Sequence, residues 1–171
     1  MIKLFDQMLR AARFDSHLYE EVEADSTALV PAMTVVVISS IAAGIGTITE
    51  RGPSGIVIGT FTALASWFIW SLLTYFIGTK LLPEPQTRAD PGQLLRTIGF
   101  SSSPGVIRIL GVIPALGIVA FAVSAVWSLI AMVVAVRQAL DYTSTVRAVM
   151  VCILGWIFQI IALALLYIVF P

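Results

Sequence analysis

Charged residues are scarce in this sequence. Its 171 residues include 10 lysines and arginines and 10 aspartates and glutamates, so 12% are charged, whereas 58% are hydrophobic. A soluble domain usually carries about a quarter charged residues, and so few charges cannot cover this much apolar surface against water. The formal net charge is zero, which leaves no overall field to attract nucleic acid. The composition therefore predicts a protein whose main solvent is lipid, without a nucleic-acid partner.

Residues that could take part in catalysis or bind a metal are also few. Cys152 is the one cysteine and lies in an apolar run, and His17 is the one histidine and lies in the polar N-terminal segment. A single cysteine excludes an internal disulfide, and one distant histidine does not make a metal site. The apolar runs contain no acidic residue, so they offer no carboxylate for general acid–base catalysis. We therefore predict no enzyme, no cofactor and no metal.

Long apolar runs dominate what remains. About 20 apolar residues suffice for a helix to cross the hydrocarbon core, which is about 30 Å thick. On this criterion we predict a multi-pass membrane domain over residues 26–171. The predicted membrane segments are residues 27–48, 55–82, 100–113, 116–136 and 146–170.

The N-terminal segment, residues 1–25, is polar and precedes the membrane domain. Over residues 1–20, the apolar residues Ile2, Phe5, Met8 and Leu9 recur at helical spacing, with charged residues between them. This pattern predicts an amphipathic helix. Such a helix either lies along the cytoplasmic membrane surface or packs on the protein itself, and the two placements are compatible.

The apolar stretch over residues 105–136 is ambiguous, because its 32 residues exceed one crossing and fall short of two. It is either one long kinked helix, or a short segment that ends near Ile113 and turns at Pro114 into a full span. Positive charges gather on the cytoplasmic side of a membrane. With two crossings and a cytoplasmic N-terminus, eight basic residues lie inside against Arg51 outside, whereas one crossing gives six against three. We therefore predict five segments, with the C-terminus on the far side.

Two ridges of small residues follow helical spacing. One comprises Gly55, Gly59 and Ala63, and the other includes Ser124 and Ser128. Small residues let helix backbones approach closely in lipid, where no hydrophobic force drives helix association. We predict that these residues pack helices together, and packing within one chain is favoured over contact between copies in a homo-oligomer.

Arg108 is the ionisable residue inside an apolar run. Such a residue is a functional-site hypothesis by default. Because Pro104 precedes it by one helical turn, we place Arg108 about one turn below the cytoplasmic surface, where its guanidinium can reach lipid phosphate. Together with Arg96, it is the candidate contact for an anionic lipid. The alternative is a buried Arg108 held by a structural partner.

Several of these residues also carry a resemblance. Arg96-x-x-Gly99-Phe100-x-x-x-Pro104, followed by Ile113-Pro114, Trp127, Arg137 and Arg147-Ala148, resembles the Yip-one (Yip1) domain family of Ypt/Rab-interacting proteins. Residues 19–25 and 43–46 look like prokaryotic members, and the resemblance extends from about residue 15 onward. It implies five membrane segments, a cytosolic N-terminus and a prokaryotic plasma membrane.

One family property is not carried over. Eukaryotic relatives are associated with Rab-type GTPases through a long N-terminal domain with an Asp-Leu-Tyr-Gly-Pro motif. That motif is absent from this sequence, so the resemblance implies no GTPase partner here.

The function that this sequence favours is that of a non-enzymatic membrane scaffold or membrane-organising protein. It would act through contacts between helices and with lipid or another membrane protein. The alternative is a small transporter or channel with a site at the broken third segment, because discontinuous helices mark transporter sites. No inverted repeat is detectable to support that alternative.

Overall fold

The structure is a computed structural model that describes residues 2–113 and 115–169. Every regular element in these ranges is helical, which confirms the all-α fold class. The elements are α1 (Ile2–Ala12), α2 (Ser16–Ala24), a 3₁₀ turn (Ser26–Ala28), α3 (Leu29–Gly46), α4 (Ile48–Phe76), a π-helical turn (Ile77–Leu81), α5 (Pro91–Ser101), a 3₁₀ segment (Ser103–Val112), α6 (Gly117–Ala139) and α7 (Thr145–Val169).

Among the residues whose side chains the structure describes, three stretches of helix are long and apolar enough to cross a membrane. They are Ser26–Gly46, Ile48–Leu81 and Gly117–Ala139, and the part of α7 within these residues, Thr145–Ile161, is a shorter apolar stretch. Helix length alone therefore does not establish the predicted count of five segments. In particular, α5 has 11 residues and the 3₁₀ segment has 10. The predicted break at Pro114 lies outside the described residues.

The prediction of one helix over residues 1–20 is wrong, because the chain turns between α1 and α2. Phe14 adopts a φ of 62°, and the Asp15 side chain caps α2 by accepting a hydrogen bond from the backbone N–H of His17 at 3.0 Å. Arg10 bridges the turn: its Nε donates to Asp15 at 2.7 Å, and its two terminal nitrogens donate to Glu21 at 2.9 and 2.8 Å. These contacts reverse the chain.

Helix α1 packs on the protein with one side. Ala11 is fully buried, and Leu4 and Met8 pack against the same core cluster, which α2, α3, α5 and α6 share. Two of its apolar side chains point outward, since Phe5 is 65% exposed and Leu9 is 41% exposed. Packing on the protein is therefore observed for α1, and contact with the membrane surface stays a prediction.

Helices α3 and α4 form an antiparallel pair. Their backbones approach closely where Gly44 faces Ile56, and Ser40 Oγ lies 3.1 Å from Thr60 Oγ1. Helix α4 begins earlier than the predicted residue 55, and it is kinked at Gly52, which has a φ of 65°.

The element at the predicted third segment begins at Pro91 rather than at residue 100, and we call it the third segment. Asp90 caps α5 through a capping box with Gln93. Helix α5 and the 3₁₀ segment then follow α3 in the same direction. Gly99 meets Ala32, Gly105 meets Ser39, and Gly111 meets Gly46. The segment therefore extends from the first turn of α3 to its last residue.

The loops after α4 and after α6 lie at the same end of the bundle. Gln86 donates to the backbone oxygen of Asp141 at 3.0 Å, and Glu84 accepts from the Thr143 hydroxyl at 2.8 Å. Gln138 at the end of α6 contacts Glu20 of α2 at 2.8 Å. The chain between α4 and α7 therefore runs away from this end and returns to it. We call it the polar end.

Candidate functional site

The third segment changes from an α-helix to a 3₁₀-helix at Ser102, and hydroxyl groups stabilise this break. Irregular backbone inside a membrane protein must find hydrogen-bond partners within the protein. Ser39 Oγ of α3 donates to the Ser102 carbonyl at 2.7 Å. Ser101 and Ser103 donate to backbone carbonyls three residues earlier, each at 2.7 Å. The polar groups at the break are thus bonded, although the helix is interrupted.

Arg108 lies farther from the polar end than the sequence indicates. A Cβ atom placed on Gly46 would lie 2.1 Å from the Arg108 carbonyl oxygen, so the Arg108 backbone packs against the last residue of α3. In contrast, Arg96 contacts the carbonyl of Val22 in α2, at the end of the bundle where α3 begins. Arg96 and Arg108 therefore lie near opposite ends of α3, because the third segment begins nine residues earlier than predicted and reaches α3's far end. The expected position of Arg108 one turn below the cytoplasmic surface stays a prediction.

The Arg108 side chain lines a cavity of about 420 Å³ between the helices, and exposed wall residues such as Ser66 and Gln159 leave it open to the outside. Its walls come from α3, α4, the third segment, α6 and α7. The polar lining combines one guanidinium with hydroxyl and amide groups, and no acidic side chain contributes. Residues that line it include Arg108, Ser39, Ser40, Ser66, Ser101, Ser102, Ser128, Gln159, Ala63, Trp67, Trp70 and Trp156.

The guanidinium of Arg108 lacks an acceptor in the described part of the chain. Its Nε is buried without a hydrogen-bond partner, and so is the hydroxyl of Ser128 on the opposite wall. The ion pairs among the described residues involve other side chains. The guanidinium carbon lies 6.0 Å from the centre of the Phe121 ring, at the outer limit of a cation–π contact. The cavity therefore presents hydrogen-bond donors and a positive charge, a combination that suits an oxyanion.

A comparison with protein-family models assigns the chain. The model described as the Yip1 domain matches residues 10–168. The chain belongs to the Yip1 domain family. Membership confirms the resemblance drawn from the sequence, and with the apolar helices it supports an integral, non-catalytic membrane protein. No curated protein and no solved structure matches the chain.

Arg96, the second predicted lipid contact, is held by protein in this Yip1 domain. It is only 9% exposed. Its Nε donates to the Val22 carbonyl at 2.9 Å, and Nη2 donates to the Glu23 carbonyl. These are carbonyls of the last turn of α2, which have no partner within their own helix. Arg96 therefore joins α2 to α5, which leaves Arg108 as the candidate anion contact.

The predicted packing residues lie in three different environments. A Cβ atom on Gly59 would meet no heavy atom within 4 Å, and one on Gly55 would meet Arg51 of its own helix. Ala63 and Ser128 line the cavity, whereas Ser124 is fully buried in α6. The structure thus offers Gly59 no helix contact among the described residues, and the packing role of this ridge stays a prediction.

The observed close approach uses a different set of small residues. On α3 they recur every seven residues, at Ala32, Ser39 and Gly46; on the third segment they recur every six, at Gly99, Gly105 and Gly111. The sequence contains both spacings, but a six-residue spacing is not a helical period that indicates an α-helix face. The second run is partly 3₁₀-helical, with three residues per turn. With that information, the six-residue spacing would have indicated a contact face.

Proposed function

We propose that this protein is a non-enzymatic membrane-organising protein that binds an oxyanion, such as a phosphate group, in the cavity at Arg108. The observation that supports this most is the buried, unpartnered Nε of Arg108. A charged side chain within a membrane segment is costly unless it has a partner. A phosphate bound by the guanidinium through paired hydrogen bonds would offset that cost, and lysine cannot reproduce this geometry.

The proposed topology has five membrane crossings, with the N-terminus cytoplasmic in a prokaryotic plasma membrane. The third segment supports it, because it extends along the whole of α3. The common end of the loops after α4 and α6 also supports it. In this arrangement α1 lies at the cytoplasmic side, and its exposed Phe5 and Leu9 would contact the membrane interface.

A second candidate function is transport of a small anion. The observation in its favour is that the cavity adjoins the 3₁₀ break in the third segment, as binding sites adjoin discontinuous helices in transporters.

A membrane-protein partner or a second copy of the chain would contact the open face at Gly59 of α4.

Substitution of Arg108 tests the anion site. We expect R108L to weaken binding of phosphatidylglycerol to the purified protein at least tenfold in native mass spectrometry, and R108K to weaken it less. R108L should not melt at a lower temperature, because it removes a buried charge that has no partner in the protein, and R108K keeps the charge in place. Arg51, an exposed arginine, provides the matched control, and R51L should bind lipid as the unmodified protein does.

Two results separate the alternatives. A destabilised R108L protein with normal lipid binding would show that Arg108 is structural and would overturn the proposal. Inorganic phosphate distinguishes the source of the anion: Arg108-dependent phosphate uptake into vesicles would favour the transport function over lipid binding.

A further inference from the structure

An apolar groove opens on the outside of the bundle between α6 and α7. It has a volume of about 360 Å³. Ile130 is 46% exposed and Ile153 is 52% exposed, so the groove faces the surrounding lipid. Its walls are formed by Leu129, Ile130, Val133, Val149, Cys152, Ile153 and Trp156.

The groove adjoins the cavity that holds Arg108. Leu129 and Trp156 line both spaces, so two side chains lie between a polar, positively charged cavity and an apolar groove. A free phosphate would need only the first space. A molecule that joins an anionic group to a hydrocarbon chain would occupy both.

We infer that the groove holds an acyl chain of a phospholipid whose phosphate binds Arg108. This inference rests on the proposed function and names its ligand as a membrane lipid. The phosphate would bind the guanidinium and the Ser128 hydroxyl, which are both unpartnered. The acyl chain would pass Leu129 and Trp156 and follow the groove towards Val133 and Val149. Apolar walls suit such a chain, because van der Waals packing, rather than removal from water, holds apolar groups together in lipid.

Filling the groove tests the inference. Ile153 lies midway along the α7 side of the groove and is half exposed, so a larger side chain there leaves the core intact. We expect I153W to weaken binding of phosphatidylglycerol about tenfold, because the indole takes up the space in which the acyl chain packs. Binding of inorganic phosphate should not change. The control is I118W on α6, where Ile118 is 87% exposed and lies outside the groove.

Photocrosslinking gives an independent readout. Phosphatidylglycerol with a diazirine in one acyl chain should crosslink to residues 129–156 in the unmodified protein, and R108L should abolish those crosslinks. If I153W binds the lipid normally and the crosslinks map elsewhere, the acyl-chain inference fails while the Arg108 site stands. If R108L itself binds phosphatidylglycerol normally, the proposed function fails as well.

Discussion

At the scale of single residues, Glu23 is an acidic side chain whose charged form is disfavoured by its partial burial. Burial at the end of α2 raises the pKa of its carboxyl group from 4.5 to about 7, and the negative charge of Asp141 adds to this increase while Arg96 opposes it. Its Oε1 accepts a hydrogen bond from Gln93 at 3.0 Å. The folded state therefore favours the protonated form of Glu23.

The raised pKa of Glu23 predicts a pH-dependent stability. Because the folded protein binds this proton more tightly than the unfolded chain, Glu23 contributes stability below about pH 4.5, and this stability is lost as the pH rises to about 7. We expect the melting temperature to fall between pH 5 and pH 8, and to fall less in E23Q, whose amide oxygen can still accept from Gln93.

The control for this experiment removes the same charge elsewhere. Glu50 is exposed at the opposite end of α3, so E50Q should keep the pH dependence of the unmodified protein. An E23Q variant whose melting temperature changes with pH as the unmodified protein does would show that the Glu23 carboxyl is not the cause.

At the scale of elements, the contact between α3 and the third segment depends on matched repeats. Seven residues of α-helix rise about 10.5 Å and six residues of 3₁₀-helix rise about 12 Å. Small residues that recur every seven positions on α3 can therefore face small residues that recur every six on the third segment. At Gly46 the two backbones come so close that a Cβ atom would lie 2.1 Å from the Arg108 carbonyl oxygen.

Substitution at Gly46 tests this contact. We expect G46A to destabilise the protein by roughly 1–3 kcal/mol, the usual cost of overpacking, because backbone rather than a flexible side chain must move. A lower melting temperature in mild detergent would show it. G59A is the matched control, since a Cβ atom there meets nothing within 4 Å, and its melting temperature should not fall. Equal melting temperatures of the two variants would contradict the close approach at Gly46.

At the scale of the whole molecule, the arrangement of loops predicts the sidedness of the termini. The loops after α4 and after α6 share the polar end with α2, so α7 begins at that end and leads away from it. We expect reporter fusions to place the N-terminus in the cytoplasm and the C-terminus on the far side. Fusions that report both ends on one side would contradict the five proposed crossings.

Much of the architecture follows from the sequence alone. Scarce charge and long apolar runs are local properties, so they determine the lipid environment, the helical class and the approximate positions of the long helices. The start of α5 could also have been predicted from Asp90, Pro91 and Gln93, which form a capping box, but we placed the start of this segment at residue 100. The turn at Phe14 could not be predicted in this way, because the spacing of apolar residues continues through it. The ion pairs of Arg10 that support the turn join residues on either side of it.

The cavity was decided by the tertiary structure. The sequence singled out Arg108 as an isolated charge, but Ser66, Ser128 and Gln159 join it from helices far apart in the chain. A hydroxyl on an apolar helix has the same local pattern whether it faces lipid, a neighbouring helix or a cavity, because its own helix can accept its hydrogen bond in each case. The packing of α3 on the third segment sets the position of Arg108 along the bundle and helps to bring these groups together. This packing uses small residues that are spaced differently on the two elements.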